Sequence, residues 1–392
     1  MLACEATART FLSRAGLLHD CTFFRVRDLG DGLRRLDSLQ AAEIVAACDI
    51  GIDFTHLSHQ SQLHGLTPVF WGDFLHMHAY HRAISAAHSG GLSAIFDLLL
   101  LAGAPDTQRR SISYGTSFLF NSTADYDDPQ YGPLFENLFE NAFHVQMRDA
   151  VSAAVVAGIR RRKENCFGID PAQLLSLNAY ESAIVGDSAP TPELGRIDRA
   201  AVFFARGKHD WNRLEGFLEK LMSSIGVRAE WIPWGDALSF PHMDSVHYRS
   251  TVPQIPKDLQ NANRLQSLLR AIRESRCVIT DTYHLAVISW AIGVPAVVIP
   301  GDYHDPEKIT KTANVRVRHD KRKVILSQDR LLDFYVEPYL IASSDHWADI
   351  IDRLSQRIHA HGYSQEFRIR LAERAAASEA ALLAAIQQTR RL

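Results

Sequence analysis

Short β-branched runs alternate along this chain with amphipathic stretches, and one run is followed by a polar turn, a brief apolar helix pattern and a second run. Together these features read as parallel α/β architecture. The 392 residues are too many for one ordinary core, so two packed domains of roughly 150 to 200 residues each, with a cleft between them, are expected.

The elements follow in order. "LACEATARTFLSRAG" reads as a helix that stops at Gly16, "CTFFRV" as a strand, and "LQAAEIVAACDIGIDF" as helix then strand. A helical stretch around "DFLHMHAYHRAISAAHS" and the apolar "LSAIFDLLLLAGAP" lead to "RSISYGTSFL", a strand plus turn. "NAFHVQMRDAVSAAVVAGI" reads as strand plus helix, and "NCFGIDPAQLLSL" as a short strand running into a loop. This series makes a first Rossmann-like domain over residues 1–190.

The segment "GDSAPTPELGRIDRA", residues 186–200, concentrates Gly, Pro, Asp and Ser as a linker would. A second Rossmann-like domain, residues 197–365, opens with "AAVFFARGKHDWNRLEGFLEKLMSSIGV" and "AEWIPW". That is a strand, a polar turn, a helix with apolar Leu214, Phe217, Leu218 and Leu221, and a second strand. "LQSLLRAIRESRCVIT" is helix then strand, and residues 366–392, rich in Ala, Glu, Arg and Leu, form a long terminal helix.

Charge and composition exclude several classes. Lys plus Arg number 42 against 45 Asp plus Glu, a formal net charge of −3, so no global positive field recruits nucleic acid or an anionic membrane surface. Cys4, Cys21, Cys48, Cys166 and Cys277 are widely spaced without a C-x-x-C pair, the pattern of reduced thiols in a cytosolic protein. No run approaches the ~18 apolar residues of a membrane span, and the N-terminus lacks the basic-then-apolar design of a signal peptide. A cytoplasmic chain without metal or cofactor is expected.

The segment "VITDTYHLAVISWAIGVPAVVIPG", residues 278–301, sets Asp281, Thr282, Tyr283 and His284 between two apolar runs. "CVIT" reads as a buried parallel strand and "AVVIP" as the next. The helix between them starts near Asp281 or Thr282, both good N-caps, and stops at Gly293. Leu285, Ile288 and Ile292 form the face expected on the sheet, which puts His284 in the first turn. Carboxyl ends of parallel strands and amino ends of the following helices line the crevice where open α/β sheets bind ligands, and a helix amino end favours an anion. The same dipole disfavours imidazolium, whereas a bound anion favours it. On spacing alone a capping histidine explains the position as well as a functional one.

The run "RCVITDTYHLAVISWAIGVPAVVIPGDYHDPEKI" resembles the C-terminal signature of the polysaccharide pyruvyl transferase family: apolar strand, Ser/Thr-Asp, Arg-Leu-His, short apolar helix, Gly-x-Pro, apolar strand, then a Tyr/Lys-containing loop. "SISYGTSFL", "VQMRDAVSAAVVAGI" and "FGIDPAQLL" are similar to the family's Gly-Ser/Thr turn, its Arg-Asp-x-x-Ser helix and its Asp-Pro segment, so the likeness spans roughly residues 110 to 310. The resemblance implies a GT-B-like pair of domains facing across a cleft, with the acceptor side first and the donor side second. It further implies phosphoenolpyruvate as donor, and a saccharide or lipid-linked saccharide as acceptor. Pyruvate ends as a ketal on a surface polysaccharide or its precursor. By the same resemblance His284 is the proton-transfer residue and Asp281 the motif's acidic residue, while Thr282, Tyr283 and Arg148 fall in the substrate-binding set.

Two departures from the pattern stand out. Thr282 replaces the motif arginine, and a neutral hydroxyl cannot grip carboxylate or phosphate bidentately. Arg206 and Lys208, after the first strand of the second domain, are the expected substitutes, against a solvated turn as the plain alternative. The family usually opens with a strand and an Asn-x-Gly-Asp turn, whereas this sequence begins in what reads as the following helix.

Other candidates remain. His56, His59, His64, His76, His78, His81 and His88 crowd one region, but "HMHAYH" would spread its rings around a helix and no H-x-x-x-H carries a carboxylate beside it. Cleft lining near the acceptor, led by His56 and His59, outweighs a metal. Ser113, Tyr114, Thr116 and Ser117 offer hydroxyls for sugar recognition or are turn residues, and His304, Asp305 and Lys308 sit beside the strand end at Ile299. "RRRK", residues 160–163, reads as a solvated helix end or a contact with an anionic lipid head group at the inner membrane face. Two functions compete with pyruvyl transfer: a GT-B glycosyltransferase using a nucleotide sugar, and a degenerate, non-catalytic family member.

Overall fold

The structure is a computed structural model that describes residues 2–21, 24–26, 50–52, 66–72, 75–85, 91–119, 121–161, 165–176, 198–204, 209–232, 264–301, 320–360 and 362–391. Every named strand pairs in parallel, as the alternating pattern predicts. The chain divides into two compact units, one with its described residues in Met1–Ala172 and Glu373–Leu392, the other in Gln173–Pro306 and His319–Ala372.

In the first unit the elements run α1 (Leu2–Arg14), β1 (Phe24–Val26), β2 (Ile50–Ile52), β3 (Val69–Trp71), α2 (His78–Ser85) and α3 (Gly91–Leu99). They continue with β4 (Ile112–Thr116), α4 (Gly132–Asn141), β5 (His144–Met147) and α5 (Ala150–Arg160). β1 pairs with β2, and a separate sheet has the order β3-β4-β5. All five residues of β4 are buried, as befits a central parallel strand covered on both faces. Its register slips between Tyr114 and Thr116, where Gly115 adopts φ +65. Phe96, Phe118, Tyr131, Phe135, Phe139 and Met147 form the main core.

"NCFGIDPAQLLSL", expected to hold a strand, makes only an isolated bridge, Met147 with Phe167, before a 3-10 turn at Pro171–Ser176. Asp170 explains the turn, because its Oδ1 accepts from the Ala172 N–H at 2.9 Å.

The second unit holds β6 (Arg199–Phe203), α6 (Trp211–Ile225), β7 (Arg228–Trp231), α7 (Arg264–Arg273), β8 (Val278–Thr280), α8 (Tyr283–Ala291) and β9 (Ala296–Val298). α9 (Lys321–Gln328), α10 (Trp347–His359) and α11 (Gly362–Thr389) follow, and α11 gives its residues from Glu373 onward to the first unit. Asp210 caps α6 by accepting from the Arg213 N–H, and the predicted Leu214, Phe217, Leu218 and Leu221 are all buried. The sheet order is β7-β6-β8-β9. The chain therefore leaves β6 toward one edge and β8 toward the other. With right-handed crossovers, α6 and α8 cover opposite faces and the strand order reverses between β6 and β8.

Candidate active site

The carboxyl ends of β6 and β8 lie side by side, with Phe203 opposite Thr280. Asp281 is the first residue beyond β8, and Thr282 occupies the N-cap of α8 in extended conformation. The threonine hydroxyl caps nothing, however: Oγ1 donates to Asp281 Oδ1 at 3.1 Å, while the Thr282 N–H donates to Thr280 Oγ1 at 2.9 Å. These bonds hold the turn closed before the helix starts.

α8 is buried on every side, not only along the Leu285, Ile288 and Ile292 face expected from spacing. Trp290 packs its ring against Phe334 and Phe367, and Tyr283 and Val287 cluster with Ile325, so helix neighbours cover the flank away from the sheet. Eight of its nine residues are buried, and His284 in the first turn is the exception. The Tyr283 ring stands edge-on to the His284 ring at 5.0 Å, and the Lys321 ammonium lies 4.7 Å from the Tyr283 ring centre.

Four residues that the sequence reading did not single out complete this edge. His209, after β6, brings Nε2 within 3.3 Å of Asp281 Oδ2, with side-chain exposures of 6% and 0%. Arg322 donates through Nη1 to the Asp281 carbonyl at 2.5 Å, and its Nε bonds both Asp320 oxygens at 2.7 and 2.8 Å. Tyr335 donates to Asp320 Oδ2 at 3.1 Å; burial, reinforced by the Asp320 charge, pushes its phenol well above the ordinary range, so it stays a donor. The Arg322 guanidinium is thus committed to a buried carboxylate and a carbonyl, and it anchors the turn.

The candidates of the first unit lie inside it. Thr116, Ser117 and Arg148 are all buried. Thr116 Oγ1 is 2.8 Å from Ser113 Oγ, Arg148 pairs with Asp170 at 3.4 Å, and Ser117 Oγ accepts from the Leu119 N–H at 3.4 Å. Asp149 and Ser152 of the Arg-Asp-x-x-Ser segment have structural work: Asp149 caps α5 through the Ser152 N–H at 2.7 Å, and Ser152 Oγ accepts from the Phe118 N–H at 3.2 Å. Arg160 of the basic run donates to the Phe139 and Ala142 carbonyls at 3.0 and 2.7 Å, so its side chain is buried instead of solvated. His56, His59, Arg206, Lys208, His304 and Lys308 lie outside the described residues.

His76, His78 and His81, expected around a helix and near an acceptor, are 0%, 1% and 0% exposed among the rings of Phe96, Tyr131 and Phe139. Burial lowers His76 to about 3 and His81 to about 4, which keeps both neutral at pH 7. Burial likewise raises the Cys277 thiol, just before β8, to about 12, so it is unreactive.

A family-wide sequence model, that of polysaccharide pyruvyl transferase, matches residues 18–303. The chain belongs to this family. No curated protein and no solved structure matches it. Family membership makes the chain a transferase with a saccharide acceptor. The match includes Asp281, Thr282 and His284 and ends just beyond β9. Among the described residues no helix is long and apolar enough to cross a membrane.

Proposed function

We propose that this chain moves the pyruvyl group of phosphoenolpyruvate onto two hydroxyls of a saccharide in a surface polysaccharide or its lipid-linked precursor, as a ketal, with release of phosphate. The first hydroxyl adds to C2 of the enol while C3 takes up a proton. The second hydroxyl then displaces phosphate, which leaves with the electron pair of its C–O bond. Of the two hydroxyl protons, one ends on C3 and the other on phosphate. His284 transfers a proton in this sequence. Arg206 and Lys208, with the amino end of α8, hold the anionic donor. The two units work as a GT-B-like pair, acceptor side first, on a precursor at the cytoplasmic face of the inner membrane.

One observation carries the reading beyond family membership. His284 alone escapes burial on α8, and it does so at the strand-order reversal where open parallel sheets bind ligands. Two measurements test it together. Ligand-dependent melting should rise with phosphoenolpyruvate and stay flat with UDP- and GDP-sugars, since a ligand at 100 times its Kd adds about 2.7 kcal/mol. Phosphate release with a saccharide acceptor should fall by about 10² to 10⁴ in His284→Ala, with melting unchanged. A shift with nucleotide sugars alone, or undiminished turnover in the variant, would overturn the reading.

A further inference from the structure

The pairing of His209 with Asp281 joins the loop after β6 to the loop after β8, across the boundary in the sheet of the second unit where the strand order reverses. A carboxylate with no exposed surface persists only when its lone pairs are satisfied. Asp281 accepts from the Thr282 hydroxyl on Oδ1 and meets His209 on Oδ2. Capping α8 would explain an aspartate at this point, but Thr282 holds the cap position.

With Asp281 ionised the carboxylate only accepts, which puts the His209 proton on Nε2. Nδ1 is then the basic nitrogen, and it makes no hydrogen bond to a described residue. The ring is also fixed sideways, edge-on to Phe204 at 5.0 Å and to Trp211 at 5.6 Å. A tautomer set by a buried acid, a plane set by two aromatic rings and one nitrogen left uncommitted by the described residues are the features of an imidazole prepared to accept a proton.

We propose that His209 is the base that receives the acceptor's proton, with Asp281 as its positioning residue; this rests on the pyruvyl-transfer reading above. In the first step Nδ1 of His209 takes the proton of the attacking hydroxyl as its oxygen bonds to C2. The imidazolium of His284 gives its proton to C3. In the second step neutral His284 takes the proton of the second hydroxyl. His209 returns its proton to the departing phosphate oxygen, so both rings end as they began. The Asp281 carboxylate stabilises the transient His209 imidazolium throughout.

His209→Gln preserves a donor to Asp281 and removes the basic nitrogen. Its turnover should fall about 10² to 10⁴, with the melting temperature and the phosphoenolpyruvate-induced shift retained. Asp281→Asn should also slow turnover, and the double variant should be no slower than the worse single one, because the pair acts as a unit. Wild-type turnover in His209→Gln would overturn the assignment and leave a purely structural tie. A wild-type protein that turns over no phosphoenolpyruvate would defeat the functional reading instead. Nitrogen-15 spectra of the His209 ring then decide the pair independently: protonated Nε2 with bare Nδ1 in the wild type, and a mixture of tautomers in Asp281→Asn, are expected. Protonated Nδ1 in the wild type would overturn the proposal.

Discussion

Acidification from pH 7 to pH 5 should weaken the first unit, and the buried histidines set the size of the effect. His76 has both ring nitrogens engaged, Nδ1 with the Leu99 carbonyl at 3.0 Å and Nε2 with Ser113 Oγ at 3.1 Å. His81 binds the Leu75 carbonyl through Nε2 at 2.6 Å, and its buried Nδ1 has no partner among the described residues. Burial holds the folded-state values near 3 and 4, against about 6.5 in an unfolded chain. Both groups are neutral in either state above pH 6.5, so neither affects stability there. Below it the unfolded chain binds protons that the folded one refuses, and stability falls with pH. At pH 5 the solution lies about 1.5 units below the unfolded value of each ring, a loss of about 2 kcal/mol apiece and about 4 kcal/mol together. The loss is complete only as pH falls through about 4 for His81 and about 3 for His76. Against a total of about 5 to 15 kcal/mol the change is large. Asp125, whose carboxyl is lowered by hydrogen bonds from Ser122 and His78 that outweigh its burial, loses stability only below its unfolded value near 3.8, so it does not contribute in this window. Urea unfolding at pH 7 and pH 5, with hydrogen exchange of the β3 and β4 amides as a local probe, measures the difference. Equal midpoints and equal protection at the two pH values would refute the reasoning.

Two further outcomes concern the anchors. Gly115→Ala should destabilise the first unit by about 3 kcal/mol or more, because a Cβ at φ +65 would stand 2.3 Å from Pro171 Cδ and 2.8 Å from the Ile169 carbonyl oxygen; denaturant unfolding measures it, and a change below 1 kcal/mol would show that the β4 turn is slack. Arg322→Ala should cost about 3 to 5 kcal/mol by leaving the buried Asp320 carboxylate unpaired, and Asp320→Asn in the same chain should recover part of the loss in a thermal melt.

Local signals in the sequence were enough wherever neighbouring residues decide the structure. "CVIT" and "AVV" are too short and too β-branched to be anything but buried strands, and Gly293 at φ +88 ends the intervening helix as its position suggests. β3 carries no local signal because it has three residues behind a proline and gains its identity only from pairing with β4. The burial of α8 exceeds what its spacing shows for a similar reason. An apolar helix pattern shows that one face meets a sheet, but only the later Phe334 and Phe367 reveal that the opposite flank is covered too. The hydroxyls of "SISYGTSFL" look like a recognition turn in the sequence, yet Ser113, Tyr114 and Thr116 lie within buried β4, and Ser152 accepts from the Phe118 N–H just beyond it. His209 carried no local signal at all, since its partner lies 72 residues away and the contact exists only because β6 and β8 are neighbours.

The missing motif arginine has an electrostatic consequence at this edge. Thr282 brings a hydroxyl where a guanidinium would stand, and the nearby Arg322 is consumed by Asp320, so it compensates a charge instead of offering one. Asp281 adds a further buried carboxyl group, which offers an incoming anion no positive charge. A multiply charged donor approaching such an edge is best accommodated if a proton arrives with it. The least buried proton carrier of the turn is His284, with the Lys321 ammonium over the ring that adjoins it. An anion bound beside an imidazole favours the imidazolium, against the opposing pull of the helix amino end. Under the proposed reading, donor binding and the charging of His284 are therefore one event: the substrate that needs a proton on C3 brings about the protonation of the group that supplies it.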